Sequence, residues 1–118
     1  MSGIIKIRYV IVIDEYFLAI SEQEWEKAKS YCIHESDVYY ETCDFEDYID
    51  SLYLYSSFVD ISFDVDIFDI RIDGNYASAY IDGDLTIITD DYDKTDESSG
   101  YLFLQKVDDN WKLFNSGD

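Results

Sequence analysis

The chain has 118 residues, with 27 Asp or Glu against eight Lys or Arg, a formal net charge of −19. That length makes one domain, 1–118, and 47% hydrophobic with 18% aromatic residues excludes the aromatic-poor composition of a disordered chain. The charge sets the chain against nucleic acid and anionic membranes and favours cations and basic protein surfaces; no apolar run is long enough to span a bilayer and no leader is visible, so the expected location is cytoplasmic.

The front of the chain carries helical signals. Ile4 to Ile13 is rich in β-branched residues, which favours a strand. Val10, Ile13, Phe17 and Ile20 nevertheless share one helical face, and the spacing predicts a helix from about Ile7 to Ile20. Ser21 and Glu24 have capping-box spacing, with Ile20 and Trp25 placed as a hydrophobic staple, so a second helix is expected from Glu22 to about Ile33. Asp44 is the expected cap of a third helix, with Phe45, Tyr48, Ile49 and Leu52 facing inward.

From Val59 the period becomes two. Val59, Ile61, Phe63, Val65 and Ile67 point one way, and Asp60, Ser62, Asp64 and Asp66 the other. Phe68, Ile70 and Ile72 break the phase, which predicts a bulge near Ile67-Phe68. Asp73-Gly74-Asn75 reads as a tight turn. Tyr76 to Ile81 and Leu85 to Thr89 read as two strands, or as one interrupted at Asp82-Gly83-Asp84. A polar loop is expected from Asp90 to Gly100, then a hairpin of Tyr101 to Val107 and Trp111 to Phe114 around Asp108-Asp109-Asn110. Helices followed by strands define an α+β class, with N-terminal helices packed on a bent antiparallel sheet.

Three stretches carry a resemblance to the NTF2-like superfamily of cone-shaped α+β barrels. Glu15 to Ser21 running into Trp25 to Lys29 is similar to the family's first two helices. Ile70 to Ile81 is similar to a strand, Asp-Gly turn and strand, and Tyr101 to Val107 with Asp108 to Leu113 resembles the closing hairpin. The resemblance implies a cone whose members include isomerases, dehydratases, transport factors and ligand-binding domains, and it is compatible with a homodimer through the sheets. Fold does not choose among these functions.

The residues nominate no catalyst. There is one histidine, His34, beside Glu35, and at the end of a helix it favours the dipole. No Ser-His-Asp, Cys-His, HExxH or phosphate-loop pattern is present. Cys32 and Cys43 lack metal-ligand or CxxC spacing and read as free thiols. Asp90, Asp91, Asp93, Asp96 and Glu97 crowd one segment, but an EF-hand begun at Asp91 would put Asp96 where Gly is needed and Leu102 where Glu is needed. Neither a cofactor nor a specific metal is expected.

The remaining signal is acidity without counter-charge. From Ser30 to Ile70 there is no Lys or Arg, whereas solvated faces normally mix both signs. Asp60, Asp64 and Asp66 fall on one side of a strand, Asp64 and Asp66 ~6.6 Å apart and Asp60 further along the row, a spacing of the order of that of neighbouring phosphates on a nucleic-acid strand. Glu41, Asp44, Glu46, Asp47 and Asp50 add charge, and Tyr39, Tyr40 and Tyr48 are of the type enriched at interface centres. These eleven residues are the expected partner-binding set. The expected function is a non-enzymatic acidic domain that binds a basic protein, as an inhibitor or anti-defence protein occupying a nucleic-acid-binding groove. The alternative is a small-molecule-binding or isomerase-like cone with an internal Asp and Tyr.

Overall fold

The computed structural model describes the backbone of residues 2–117 and the side chains of residue 8 and residues 10–117. Three helices, α1 (Ser2–Ser21), α2 (Trp25–Ser30) and α3 (Asp37–Leu52), precede four strands, β1 (Val59–Asp73), β2 (Tyr76–Thr89), β3 (Asp93–Val107) and β4 (Asn110–Gly117). The strands form one antiparallel meander in the order β1-β2-β3-β4, with the helices against one face. This is the α+β arrangement of helices on an antiparallel sheet. No described helix is long and apolar enough to cross a membrane.

The helical period of α1 prevails over its β-branched composition because Ile13, Tyr16 and Ile20 bury one stripe against β1, α2 and β4. The helix begins earlier than the apolar stripe suggested. Ser21 does not cap the next helix. It ends α1, and its Oγ donates to Leu18 O at 2.7 Å. The chain leaves through a Schellman turn: Glu24 N donates to Ala19 O, Gln23 N donates to Ile20 O, and Gln23 takes the left-handed conformation at φ 58°. With those backbone groups committed, α2 is only Trp25–Ser30 and Glu24 caps it without a side-chain hydrogen bond. The third helix likewise starts earlier than Asp44. Ser36 is its N-cap, Oγ accepting from Tyr39 N at 3.3 Å. Val38, Thr42 and Ile49 are its buried face, while Tyr48 points outward.

In the sheet, Val59 and Ile61 of β1, Ala77, Ala79 and Ile87 of β2, Leu102 and Leu104 of β3, and Trp111 and Leu113 of β4 are the buried inward residues. The bulge lies at Asp69-Ile70, later than the apolar phase suggested, with Asp69 at φ 52°. Phe68 therefore stays in the outward phase of β1, and only Ile70 and Ile72 move to the inner side. Gly74, at φ 61°, opens a two-residue turn, and Asp108 and Asp109, both at positive φ, make a type I′ turn. Strand β2 is continuous through Gly83, where an added Cβ would lie 2.8 Å from Asp64 O. The segment expected as a loop from Asp90 to Gly100 is mostly strand. Its polar residues pair residue for residue with β2, and Thr86 and Thr95 share a hydrogen bond of 2.9 Å across the pair.

Helix α2 and the turn after it are stitched to β4. Ile33 N donates to Leu113 O at 2.7 Å, and Leu113 N donates to Tyr31 O at 2.9 Å. Leu113 is fully buried between them, a burial that contributes about 1.5–3 kcal/mol.

Candidate functional site

The register of the meander assembles an acidic surface on the outer face of the sheet, away from the helices. Asp64 lies opposite Asp84, and Asp84 opposite Glu97. In the next row Asp66 lies opposite Asp82, and Asp82 opposite Ser99. Side chains directly opposite one another have Cβ atoms about 4.5–5.5 Å apart. These five carboxylates line one shallow concavity of about 270 Å³. Asp60 continues the outward phase of β1 toward the α3–β1 connection. Among the described residues none of the five forms an ion pair; the nearby Lys94 pairs with Asp96 at 3.6 Å.

The other neighbour of the acidic rows is aromatic. Phe68, Tyr80 and Tyr101 lie opposite one another on β1, β2 and β3, one outward position beyond Asp66 and Asp82. Their ring centroids are 5.2 and 5.0 Å apart, and Phe103 extends the stripe at 6.1 Å from Tyr101. Phe68 is 46% exposed. At the bulge, Asp69 accepts from Arg71 Nε at 3.2 Å and from the Tyr101 hydroxyl at 3.1 Å. The bond to the carboxylate pushes the Tyr101 phenol above its usual range.

The structure divides the sequence-derived set. Asp60, Asp64 and Asp66 are exposed on the outer sheet face. Glu41, Asp44, Glu46, Asp47 and Asp50 ride on α3, which packs on α2 and β4 at the opposite side of the sheet. Two of these already have partners within the chain. Glu46 accepts from Lys29 Nζ at 2.6 Å, holding that ammonium well above its usual range, and Glu41 accepts from Ser116 Oγ at 2.9 Å. Tyr39 is half-buried under the His34 ring at 4.9 Å, Tyr40 is exposed, and Tyr48 stacks on Phe45 with its hydroxyl 3.5 Å from that of Tyr92. Asp82, Asp84, Glu97 and Phe68 are absent from the sequence-derived set because only the strand register places them beside Asp64 and Asp66.

The interior is hydrocarbon around a short hydroxyl chain. Tyr16 and Thr42 hydroxyls are 2.7 Å apart, and Cys32 Sγ lies 4.0 Å from Thr42. Burial raises the Cys32 thiol to about 11, so it is protonated and inert at neutral pH. Both cysteines are free. No carboxylate is buried among the described residues, and no cluster of metal-ligating side chains occurs among them. Other hollows include a mainly apolar one of about 230 Å³ between Phe17, Phe63, Val65 and Leu85, with Asp84 also in its lining, and an open one of about 600 Å³ beside Lys29, His34, Tyr39 and Lys112.

No family model and no curated protein matches the chain. Among solved structures it is similar to Rv3472 of Mycobacterium tuberculosis, a protein of unknown function. The TM-score is 0.71 at 17% identity, over 98% of this chain and 70% of that one. It is also similar to Bd1075 of Bdellovibrio bacteriovorus, with a TM-score of 0.58 at 10% identity, over 88% of this chain and 36% of that one. At such identities the likeness shows a shared small α+β fold.

Proposed function

We propose that this chain is a non-enzymatic NTF2-like domain that binds a basic protein surface through the outer face of its sheet. It acts as an inhibitor or anti-defence protein that occupies the groove of a nucleic-acid-binding protein. The order of three helices and a four-stranded bent meander supports the superfamily assignment. The observation that carries the function is the pair of carboxylate rows, Asp64-Asp84-Glu97 and Asp66-Asp82. Like charges directly opposite in a sheet destabilise it, and no described cation relieves these. A surface that costs the fold stability is explained if a cationic partner supplies the missing charge on binding. The rows repeat at about the interval of nucleic-acid phosphates, ~6.6 Å, so a groove lined by Lys and Arg for nucleic acid presents complementary charge.

The isomerase-like alternative needs a carboxylate base inside the cone, and the buried polar side chains described are hydroxyls and a thiol. The hollow between Phe17 and Phe63 favours at most a small apolar ligand, being below the ~300 Å³ at which ligand pockets usually begin.

The test is affinity capture from a host lysate at low and moderate salt, with wild type, a triple Asp64→Lys, Asp66→Lys, Asp84→Lys variant, and DNA as competitor. A nucleic-acid-binding protein held by wild type, lost by the variant and displaced by DNA is the expected result. A partner held equally by the folded variant would remove the outer face from the function.

A further inference from the structure

We propose that the outer sheet face selects arginine over lysine, so that its partner presents an arginine-rich segment; this rests on the acidic-face reading above. The aromatic stripe Phe68-Tyr80-Tyr101-Phe103 lies in the outward phase of the sheet, with Phe68 exposed and the other three rings half-buried, and adjoins the Asp66-Asp82 row directly. The next outward position on a strand lies ~6.6 Å away, within the span of one arginine side chain. A guanidinium laid on the stripe keeps its N–H fork at the carboxylates. A lysine ammonium, strongly hydrated and without a plane to stack, gains the charge but not the aromatic contact.

One arginine of the chain already meets a carboxylate beside the stripe. Arg71 Nε donates to Asp69 Oδ1 at 3.2 Å, while Asp69 Oδ2 accepts from the Tyr101 hydroxyl at 3.1 Å. That group of arginine, carboxylate and tyrosine stands on one side of the stripe. On the other side Asp66, Asp82, Asp64, Asp84 and Glu97 repeat the carboxylates beside Tyr80 and Phe68 with no arginine among their described partners. Charge complementarity also separates this occupant from a second copy of the chain. A two-fold pairing of these faces would bring rows of like charge toward one another.

The experiment titrates nona-arginine and nona-lysine peptides, fluorescently labelled, into wild type, Phe68→Leu and Tyr80→Leu, each variant first checked for the wild-type circular dichroism spectrum. Wild type is expected to bind the arginine peptide about tenfold more tightly. In either variant that ratio should fall toward one, with lysine-peptide affinity unchanged. Phe68→Leu keeps the test open if Tyr80→Leu does not fold, since Phe68 is the more exposed ring. Equal affinity for both peptides in wild type, or a preference that survives Phe68→Leu, overturns arginine selection while leaving the acidic-face reading intact. Binding of neither peptide overturns both. Sedimentation showing a wild-type dimer that Phe68→Leu dissociates assigns the stripe to a second copy and overturns the proposal.

Discussion

The Tyr16 hydroxyl donates to Thr42 Oγ1 at 2.7 Å in the centre of the core, because the single Thr42 proton already goes to Val38 O at 2.8 Å. The direction of this chain makes its two ends unequal. Tyr16→Phe removes a donor and leaves Thr42 bonded, and is expected to cost about 1 kcal/mol. Thr42→Val leaves a buried O–H with no acceptor and is expected to cost about 2–3 kcal/mol. Urea unfolding of both variants checks the order; equal costs would mean that Tyr16 finds another acceptor. Burial also raises the Tyr16 phenol above its ordinary 10.0. The unfolded chain therefore loses this proton first, and the contribution to stability, complete below pH 10.0, declines as pH rises above it. In Tyr16→Phe that part of the alkaline decline is expected to disappear.

Gln23 is held at φ 58°, where a side chain is disfavoured, yet its amide donates to Val59 O at 2.7 Å and accepts from the Tyr53 hydroxyl at 2.8 Å. It ties the end of α1 to the start of β1 and the end of α3. Gln23→Ala keeps the strain and loses both bonds, whereas Gln23→Gly loses the bonds and the strain together. Both are expected to destabilise, alanine by about 1 kcal/mol more than glycine. Chemical denaturation of the pair measures that difference. A glycine variant more stable than wild type would show the two bonds to be negligible.

Asp90 clasps the α3–β1 connection. Its carboxylate accepts from Ser57 N at 2.8 Å and from Ser57 Oγ, while Asp90 N donates to Ser56 Oγ at 2.9 Å. The Ser57 backbone and hydroxyl bonds lower its pKa from 3.8. The sign follows: a depressed carboxylate supports the clasp above pH 3.8 and releases it as pH falls through the lower folded value. Protection of the Ser57 amide, taken relative to its intrinsic exchange rate at each pH, is expected to be high near neutrality, to be lost in acid, and to be low throughout in Asp90→Ala. Unchanged protection in that variant would remove the clasp from local stability.

How much of this was legible depends on the range of each interaction. The α1 stripe of Ile13 and Ile20, the period-two run from Val59 and the Asp108-Asp109 turn are local patterns, and all three are where their spacing put them. Ser21 misled because a serine just before an expected helix can equally finish the old one, and the Leu18 carbonyl decided it. Asp93 to Ser99 has no apolar alternation to mark it as strand; it is held by the register that the β2–β3 pairing imposes. The same non-local register sets Asp84 between Asp64 and Glu97, so half of the candidate surface was invisible along the chain. The bulge was expected near Ile67-Phe68 because the apolar phase breaks there, but Phe68 is an exposed aromatic of the outer face and the register shift comes after it, at Asp69-Ile70.

Asp84 tests whether the acidic rows serve the fold or a partner. It has a carboxylate on each side, Asp64 on β1 and Glu97 on β3, and no compensating cation among the described residues. Asp84→Asn preserves shape and removes two like-charge contacts, each worth about 0.2–1 kcal/mol. The isolated protein is therefore expected to become more stable at low salt, with the gain shrinking at high salt as screening relieves the wild type. The same variant is expected to bind the arginine peptide more weakly. Melting curves at the two salt concentrations and one titration decide the matter together. Opposite signs for stability and binding identify a surface kept for its partner at the expense of the fold. A destabilised Asp84→Asn would instead make the carboxylate a structural element and withdraw the main support for the proposed function.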